Sequence, residues 1–218
     1  KRKELLDTGF SDNGSPTTGR LMSNLNAAGY KAEDIDTVIL SHYHGDHILG
    51  VRNKAGQLVY PNAKIMVPSV EHAFWMDDAR MAAAPDAMKG AFQTVRRMLG
   101  GLGDDRLIKF EAGTEVVPGV KSVAAYGHTP GHTLFMVESK GEKFAYLADI
   151  TNVPQRFARN PDWAVQFDMD AEAARLTRRK VFDMIANDRV MAGGFHFPFP
   201  AFGRVEKLGS GFEFKPVA

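Results

Sequence analysis

The 218-residue chain contains no cysteine, which excludes disulfides, thiolate metal ligands and a cysteine nucleophile together. Any metal ion it holds must be bound through nitrogen and oxygen. Thiol-free chains suit reducing and oxidising compartments alike, so cytoplasmic, periplasmic and secreted locations all stay open. An excess of charge of one sign is also lacking, since 27 Lys and Arg face 26 Asp and Glu for a net charge of +1. That balance gives no reason to expect nucleic acid or an anionic membrane as partner. No apolar run approaches the roughly 18–20 residues that span a bilayer, and no signal-peptide pattern opens the chain. Repeats, low-complexity tracts and linkers are missing too. What remains is an ordinary globular composition, 44% apolar, and we expect one domain over residues 1–218.

The apolar patterning alternates between helical and strand-like. Pro16-Thr17-Thr18 opens a predicted helix with Leu21, Met22, Leu25 and Ala28 on one stripe, ended by Gly29. Thr37–Leu40 and Lys64–Val67 read as short buried strands. A Met- and Ala-rich helical stretch runs from about Val70 to Leu99, interrupted near Pro85 and stopped by Gly100, Gly101 and Gly103. Strands follow at Leu107–Phe110, Thr114–Val117, Val120–Ala125, Thr133–Glu138 and Lys143–Leu147, the last two joined by a hairpin turn at Ser139-Lys140-Gly141-Glu142. A helix over Ala171–Asn187 is capped by Asp168 or Asp170. A strand at Val190–Ala192 and a hairpin around Gly209-Ser210-Gly211 close the chain. The order predicts an α+β protein with helices outside its sheets.

The densest chemistry lies in His42-Tyr43-His44-Gly45-Asp46-His47, directly after the strand ending at Ser41. His42 and His44 are two residues apart, so in extended backbone both point the same way. Gly45 then lets the chain turn and bring Asp46 and His47 to the same place. Three clustered imidazoles would repel one another as cations and gain little as neutral groups. Gripping a metal ion is the reading that fits, with zinc first and manganese, iron or cobalt as alternatives. A second signal is Gly127-His128-Thr129-Pro130-Gly131-His132-Thr133, a loop between strands. There His132 abuts the next strand and is favoured as a ligand, while His128 is expected to hydrogen-bond within the loop. Asp149, at the end of a strand, and His196, among aromatics, are the remaining ligand-type residues; read alone, either also fits a cap, turn or core position.

These motifs resemble the metallo-β-lactamase-fold superfamily, whose signature is His-x-His-x-Asp-His followed by a later His, Asp and His. The likeness runs from Leu6-Asp7-Thr8-Gly9 to the C-terminus. Within the superfamily the chain looks like the branch of methyl parathion hydrolase and related lactonases and esterases. The residues suggesting this are Pro61-Asn62-Ala63, Phe74-Trp75, His128–Val137, Gln166–Asp170 and His196–Gly203. The resemblance implies an αβ/βα four-layer sandwich, with strands that in the family precede Asp-Thr-Gly and are expected to be missing here. It implies that His42, His44 and His132 hold one ion, that Asp46, His47 and His196 hold another, and that Asp149 bridges them. Asp7 would support the site, as His128 would from its loop. His72 matches no ligand position and is expected at the surface.

Such a centre implies a dinuclear metal-dependent hydrolase attacking an ester, lactone or phosphotriester with a metal-bridging hydroxide. Asp46 is the candidate to accept the nucleophile's proton. The substrate rim is expected to include Trp75, Phe74, Met88, Phe92, Phe197 and Phe199, an apolar set suited to a neutral small molecule. A homodimer would fit relatives of this branch. The competing readings are a metallo-β-lactamase, a glyoxalase II-like thioesterase and a metal-binding protein without turnover. Metallo-β-lactamases commonly carry cysteine at the Asp149 position, so the aspartate here argues against that reading. No basic patch suggests glutathione.

Overall fold

Short β-branched runs of this chain become the strands of two sheets, one in each of two compact units that meet in sequence between Phe110 and Glu111. The computed structural model describes residues 2–217. In the first unit, β1 (Glu4–Leu6), β2 (Thr37–Ile39), β3 (Lys64–Pro68) and β4 (Leu107–Phe110) form a wholly parallel sheet in that order. Every residue of β2 is buried, the environment in which a parallel strand reads as an unbroken apolar run. Five helices accompany this sheet: α1 (Leu21–Ala27), α2 (Gly45–Ile48), α3 (Ser69–Met76), α4 (Asp78–Ala83) and α5 (Asp86–Leu99). Phe92, Val95, Met98 and Leu99 form the buried stripe of α5, packed into one core with Val38, Ile48, Ile65, Val67 and Trp75.

Two helix expectations shift. The first helix starts at Leu21 rather than beside Pro16. The Thr18 hydroxyl donates to the Ser15 carbonyl at 2.8 Å, a local turn that competes with helix. The Met- and Ala-rich stretch breaks at Asp77 as well as at Pro85. Asp77 is extended, and its carboxylate accepts the Ala79 and Arg80 amides to start α4.

The second unit holds β5 (Glu115–Val117), β6 (Val120–Ala124), β7 (Thr133–Ser139), β8 (Glu142–Tyr146), β9 (Met191–Gly193), β10 (Phe202–Leu208) and β11 (Gly211–Pro216) in one seven-stranded sheet. All its neighbours are antiparallel except β8 and β9. The β7–β8 turn places Lys140 at φ 52° and Gly141 at φ 81°, the left-handed pair a tight hairpin needs. Helix α6 (Pro154–Phe157) has only four residues, too few to show a period. Helix α7 (Ala171–Asn187) is capped by Asp170, which accepts the Ala173 amide, and buries Ala174, Val181, Phe182 and Ile185. Its core partners include Leu134, Ala145, Leu147, Ala192 and Phe212. Among the described residues no helix is long and apolar enough to cross a membrane.

Strand direction and register decide where the ligand-type residues emerge. In the first sheet β1 runs into Asp7 and β2 runs into Ser41 and His42. These parallel neighbours pair as Leu6 with Ile39, so both loops leave the same sheet end. In the second sheet β8 and β9 are parallel and pair Tyr146 with Gly193, so the chains towards Asp149 and His196 also leave together. β7 is antiparallel to β8 with Phe135 opposite Tyr146, which brings the loop preceding Thr133 to that same end. Ligand-type side chains at the carboxyl ends of parallel strands are a recurrent placement in α/β proteins.

Candidate metal centre

The loop after β2 is held by the turn after β1. Asp7 is buried and its two carboxylate oxygens receive three hydrogen bonds. Oδ1 takes the Ser41 amide at 2.8 Å, and Oδ2 takes the Ser41 hydroxyl at 2.7 Å and His47 Nδ1 at 2.8 Å. Because the Ser41 hydroxyl spends its proton on Asp7, it can only accept from His42 Nδ1, 2.9 Å away. Both His42 and His47 therefore carry their ring proton on Nδ1 and the lone pair on Nε2. His47 Nε2 lies 3.6 Å from Asp46 Oδ2. The rings of His42 and His47 are 4.0 Å apart and those of His42 and His44 4.9 Å. Backbone closure completes the clamp, with the Thr8 hydroxyl donating to the His47 carbonyl at 2.6 Å. A Cβ on Gly50 would sit 2.1 Å from the Thr8 carbonyl oxygen, so only glycine permits this approach.

Glu71 holds the same loop from another direction. Fully buried on α3, its Oε1 accepts the Tyr43 amide at 3.0 Å and the Trp75 indole N–H at 2.8 Å. The backbone between His42 and His44 is thereby fixed by a carboxylate that is not itself a ligand candidate. Tyr43 also bonds through its hydroxyl to His72 Nδ1 at 3.0 Å.

In the second unit the decisive group is Asp149. Its Oδ2 lies 3.4 Å from His128 Nε2 and 3.2 Å from His196 Nε2. His128 donates Nδ1–H to Asp168 Oδ1 at 2.9 Å, so in the neutral ring the Nε2 lone pair faces Asp149. Burial works against the His128 cation. The hydrogen bonds and charges of Asp149 and Asp168 outweigh it and hold the pKa above the ordinary imidazole value. Positive charge is favoured at this position. The residue before Asp149, Ala148, adopts φ 46°, a left-handed conformation that non-glycine residues rarely take. Asp7 does the same at φ 57°.

Nε2 lone pairs with fixed tautomers, set beside carboxylate oxygens, are a donor set that fits a borderline divalent ion. The second partner on each ring is the support that orients a metal-binding imidazole.

The metallo-β-lactamase superfamily family model matches residues 5–192. The chain belongs to this superfamily. A solved hydrolase of the superfamily, AbOPH, is 28% identical with a TM-score of 0.92, covering 99% of this chain and 75% of that one. AidC, a dizinc quorum-quenching lactonase solved with a homoserine product, is 30% identical with a TM-score of 0.92, covering 100% and 76%. An N-acyl homoserine lactonase from Bacillus sp is 25% identical over 162 residues, 74% of this chain and 56% of that protein. The chain thus spans about half the length of the curated relatives it matches.

Set against the superfamily signature, the structure exchanges the expected roles of the two loop histidines. His132 was favoured as ligand, yet it is fully buried with both ring nitrogens engaged by backbone. Nδ1 bonds the Ala125 carbonyl at 3.0 Å and Nε2 accepts the Asp149 amide at 3.1 Å. It ties the loop to the strand end that carries Asp149. His128, expected to be a loop support, is the imidazole whose Nε2 faces Asp149.

The expected apolar rim is corrected as well. Trp75 and Phe92 are core residues with rings 4.8 Å apart, and Phe74 and Met88 pack half-buried against the same cluster. Phe197 is buried with its ring 4.8 Å from that of Phe214. Phe and Met at helical spacing serve the core here, and only Phe199, 97% exposed, stands open to solvent. His72 is half-buried against Tyr43 rather than a plain surface residue. Sequence reasoning missed Glu71 and gave Asp168 only as a cap and as part of the Gln166–Asp170 run that suggests the branch, since a lone acid carries no spacing signal.

Proposed function

We propose that the chain is a metal-dependent hydrolase of the superfamily, acting on a lactone or a related neutral ester. The carrying observation is that His42, His47 and His128 each have Nδ1 engaged by a partner, so that Nε2 bears the lone pair, in His47 and His128 beside a carboxylate. Following the superfamily pattern, His42, His44 and His128 would hold one divalent ion and Asp46, His47 and His196 the other, with Asp149 serving both. Zinc suits this nitrogen- and oxygen-rich set, with manganese, iron or cobalt as alternatives. When bound, such ions lower the pKa of water towards about 7 and polarise the oxygen that gains charge.

The chain's own residues have distinct work. Asp7 and Ser41 hold the His42 and His47 rings in the tautomer that binds a cation. His132 and Glu71 fix the two loops through backbone amides. Asp46 is partly exposed, and its Oδ2 is positioned beside His47 Nε2. We assign it a second task, accepting the proton of the attacking water and passing it to the leaving oxygen. The lactone reading rests on similarity to the lactonases. The same chemistry serves aryl esters and phosphotriesters, because tetrahedral and phosphorane-like states both place negative oxygen at the same point.

Zinc-loaded protein assayed on an acyl-homoserine lactone, p-nitrophenyl acetate and methyl parathion tests the proposal. Turnover fastest on the lactone and abolished by chelator is expected, and zinc uptake without turnover on any of them would leave a binding protein. Asp46→Asn at fixed metal content is expected to lower kcat about 100-fold, within the range of general acid–base catalysis. An unchanged rate–pH profile would remove Asp46 from proton transfer.

A further inference from the structure

Helix α7 places one arginine in the interior of the second unit, and the ligand pattern makes no use of it. Arg178 is fully buried. Its Nε donates to the Ile150 carbonyl at 2.8 Å. One terminal nitrogen donates to the Pro161 and Trp163 carbonyls at 3.0 and 2.8 Å. The other donates to Asp168 Oδ2 at 3.0 Å, while Asp168 Oδ1 takes His128 Nδ1–H at 2.9 Å. Asp168 is as buried as the arginine, each side chain being 1% exposed.

We propose that Arg178 is a positioning residue that sets the mutual geometry of His128 and Asp149, acting through Asp168 on the first and through the Ile150 carbonyl on the second. The inference rests on the metal-dependent reading above and adds a residue to it.

Three observations carry it. First, the guanidinium is a rigid planar fork, and four of its donations have defined acceptors, so it fixes directions as well as charge. Second, its two decisive acceptors are one bond network away from ligand candidates. Ile150 follows Asp149 in the chain, and Asp168 holds the His128 ring. Third, the segment carrying Asp168 is also bound to the His128 loop by backbone. The Met169 amide donates to the His128 carbonyl at 3.1 Å and the Asp170 amide to the Gly127 carbonyl at 2.9 Å. A purely stabilising role is a poor account of such a group. A buried ion pair is often no better for stability than apolar residues of the same volume.

The test is a double-mutant cycle on zinc affinity with Arg178→Met and Asp168→Asn, read by competition with a chromogenic chelator and by the cobalt(II) absorption spectrum. Wild-type protein is expected to bind two ions. Asp168→Asn should weaken the ion assigned to His128 by about 10–100-fold, the usual cost of removing a partner behind a ligand, and Arg178→Met should weaken that ion and, through Asp149, which serves both, the second one as well. At the ion assigned to His128 the double variant should be no worse than the poorer single one, because there both changes cut the same link. Melting of the chelated proteins reports folding separately. Should Arg178→Met not fold, Arg178→Gln takes its place in the cycle. Unchanged affinity in the single variants, or losses that simply add, would overturn the positioning role while leaving the metal reading intact. Failure of the wild-type protein to take up any ion would overturn both.

Discussion

Individual side chains show which parts of the centre a linear sequence can announce. The run from His42 to His47 is legible because four ligand-type residues in six positions have no simple alternative use. The loop carrying His128 and His132 is not. Spacing cannot tell which ring will be consumed by backbone groups, and only the approach of Ala125 and the Asp149 amide to His132 decides it. Glu71 and Arg178 are less legible still, since their partners lie 28 residues or fewer away along the chain in no fixed pattern. Buried tyrosines are another case where environment overrides type. Burial raises Tyr60 from 10.0 to about 12, and Tyr43 moves the same way through burial and the Glu71 charge. An unfolded chain loses the phenolic proton first. Between pH of about 10 and about 12 the folded state still holds it, so stability is full below about pH 10 and falls as pH rises through that window. At about 1.4 kcal/mol per unit, Tyr60 accounts for a loss of roughly 3 kcal/mol at most. Tyr60→Phe should flatten the fall in urea midpoint between pH 9 and pH 11. An unaltered slope would show that Tyr60 is not the group responsible.

Elements were legible according to their length. The 17 residues of α7 span several turns and were read with their observed bounds, whereas the four residues of α6 carry no period at all. The first two helices of the Met- and Ala-rich stretch, α3 and α4, read as one in the sequence because Asp77 looks like any exposed acid until its cap geometry is seen. What sequence conceals most is how tightly elements must approach. Gly127 lies where the His128 loop meets the first turn of α7. A Cβ there would stand 2.2 Å from the Ala174 amide nitrogen, and the residue sits at φ 124°. Both the clash and the left-handed backbone penalise any side chain. Gly127→Ala is expected to destabilise the protein by about 2–4 kcal/mol in urea unfolding, more than overpacking alone, because α7 must move away or the loop must refold. Gly113, at φ 89° with open space around it, supplies the control. Its alanine variant bears the backbone strain alone and should lose about 1 kcal/mol. Equal losses at the two positions would mean that close approach at Gly127 costs nothing.

At the scale of the whole molecule, the superfamily and its type of fold were readable from one dense motif and the order of the later ligand residues. The burial of the supposed apolar rim was not, because composition does not distinguish a lining from a core. Bound divalent ions would be the strongest local charges at the proposed centre. The proposed ligands span positions 42 to 196, and an unfolded chain cannot gather them. Binding free energy is then folding free energy. At a free zinc concentration one hundred times the dissociation constant, each site adds about 2.7 kcal/mol. For a chain of this length that amounts to a rise in Tm of roughly 5–10 °C per site. The melting temperature should therefore climb with the logarithm of zinc concentration and fall back on adding chelator. Magnesium, which prefers an all-oxygen octahedron, should move it little. A Tm indifferent to zinc would contradict the metal reading even if some hydrolysis were detected. A zinc-dependent Tm in protein inert to lactone, ester and phosphotriester would instead identify a centre that binds ions without turning over any of these substrates.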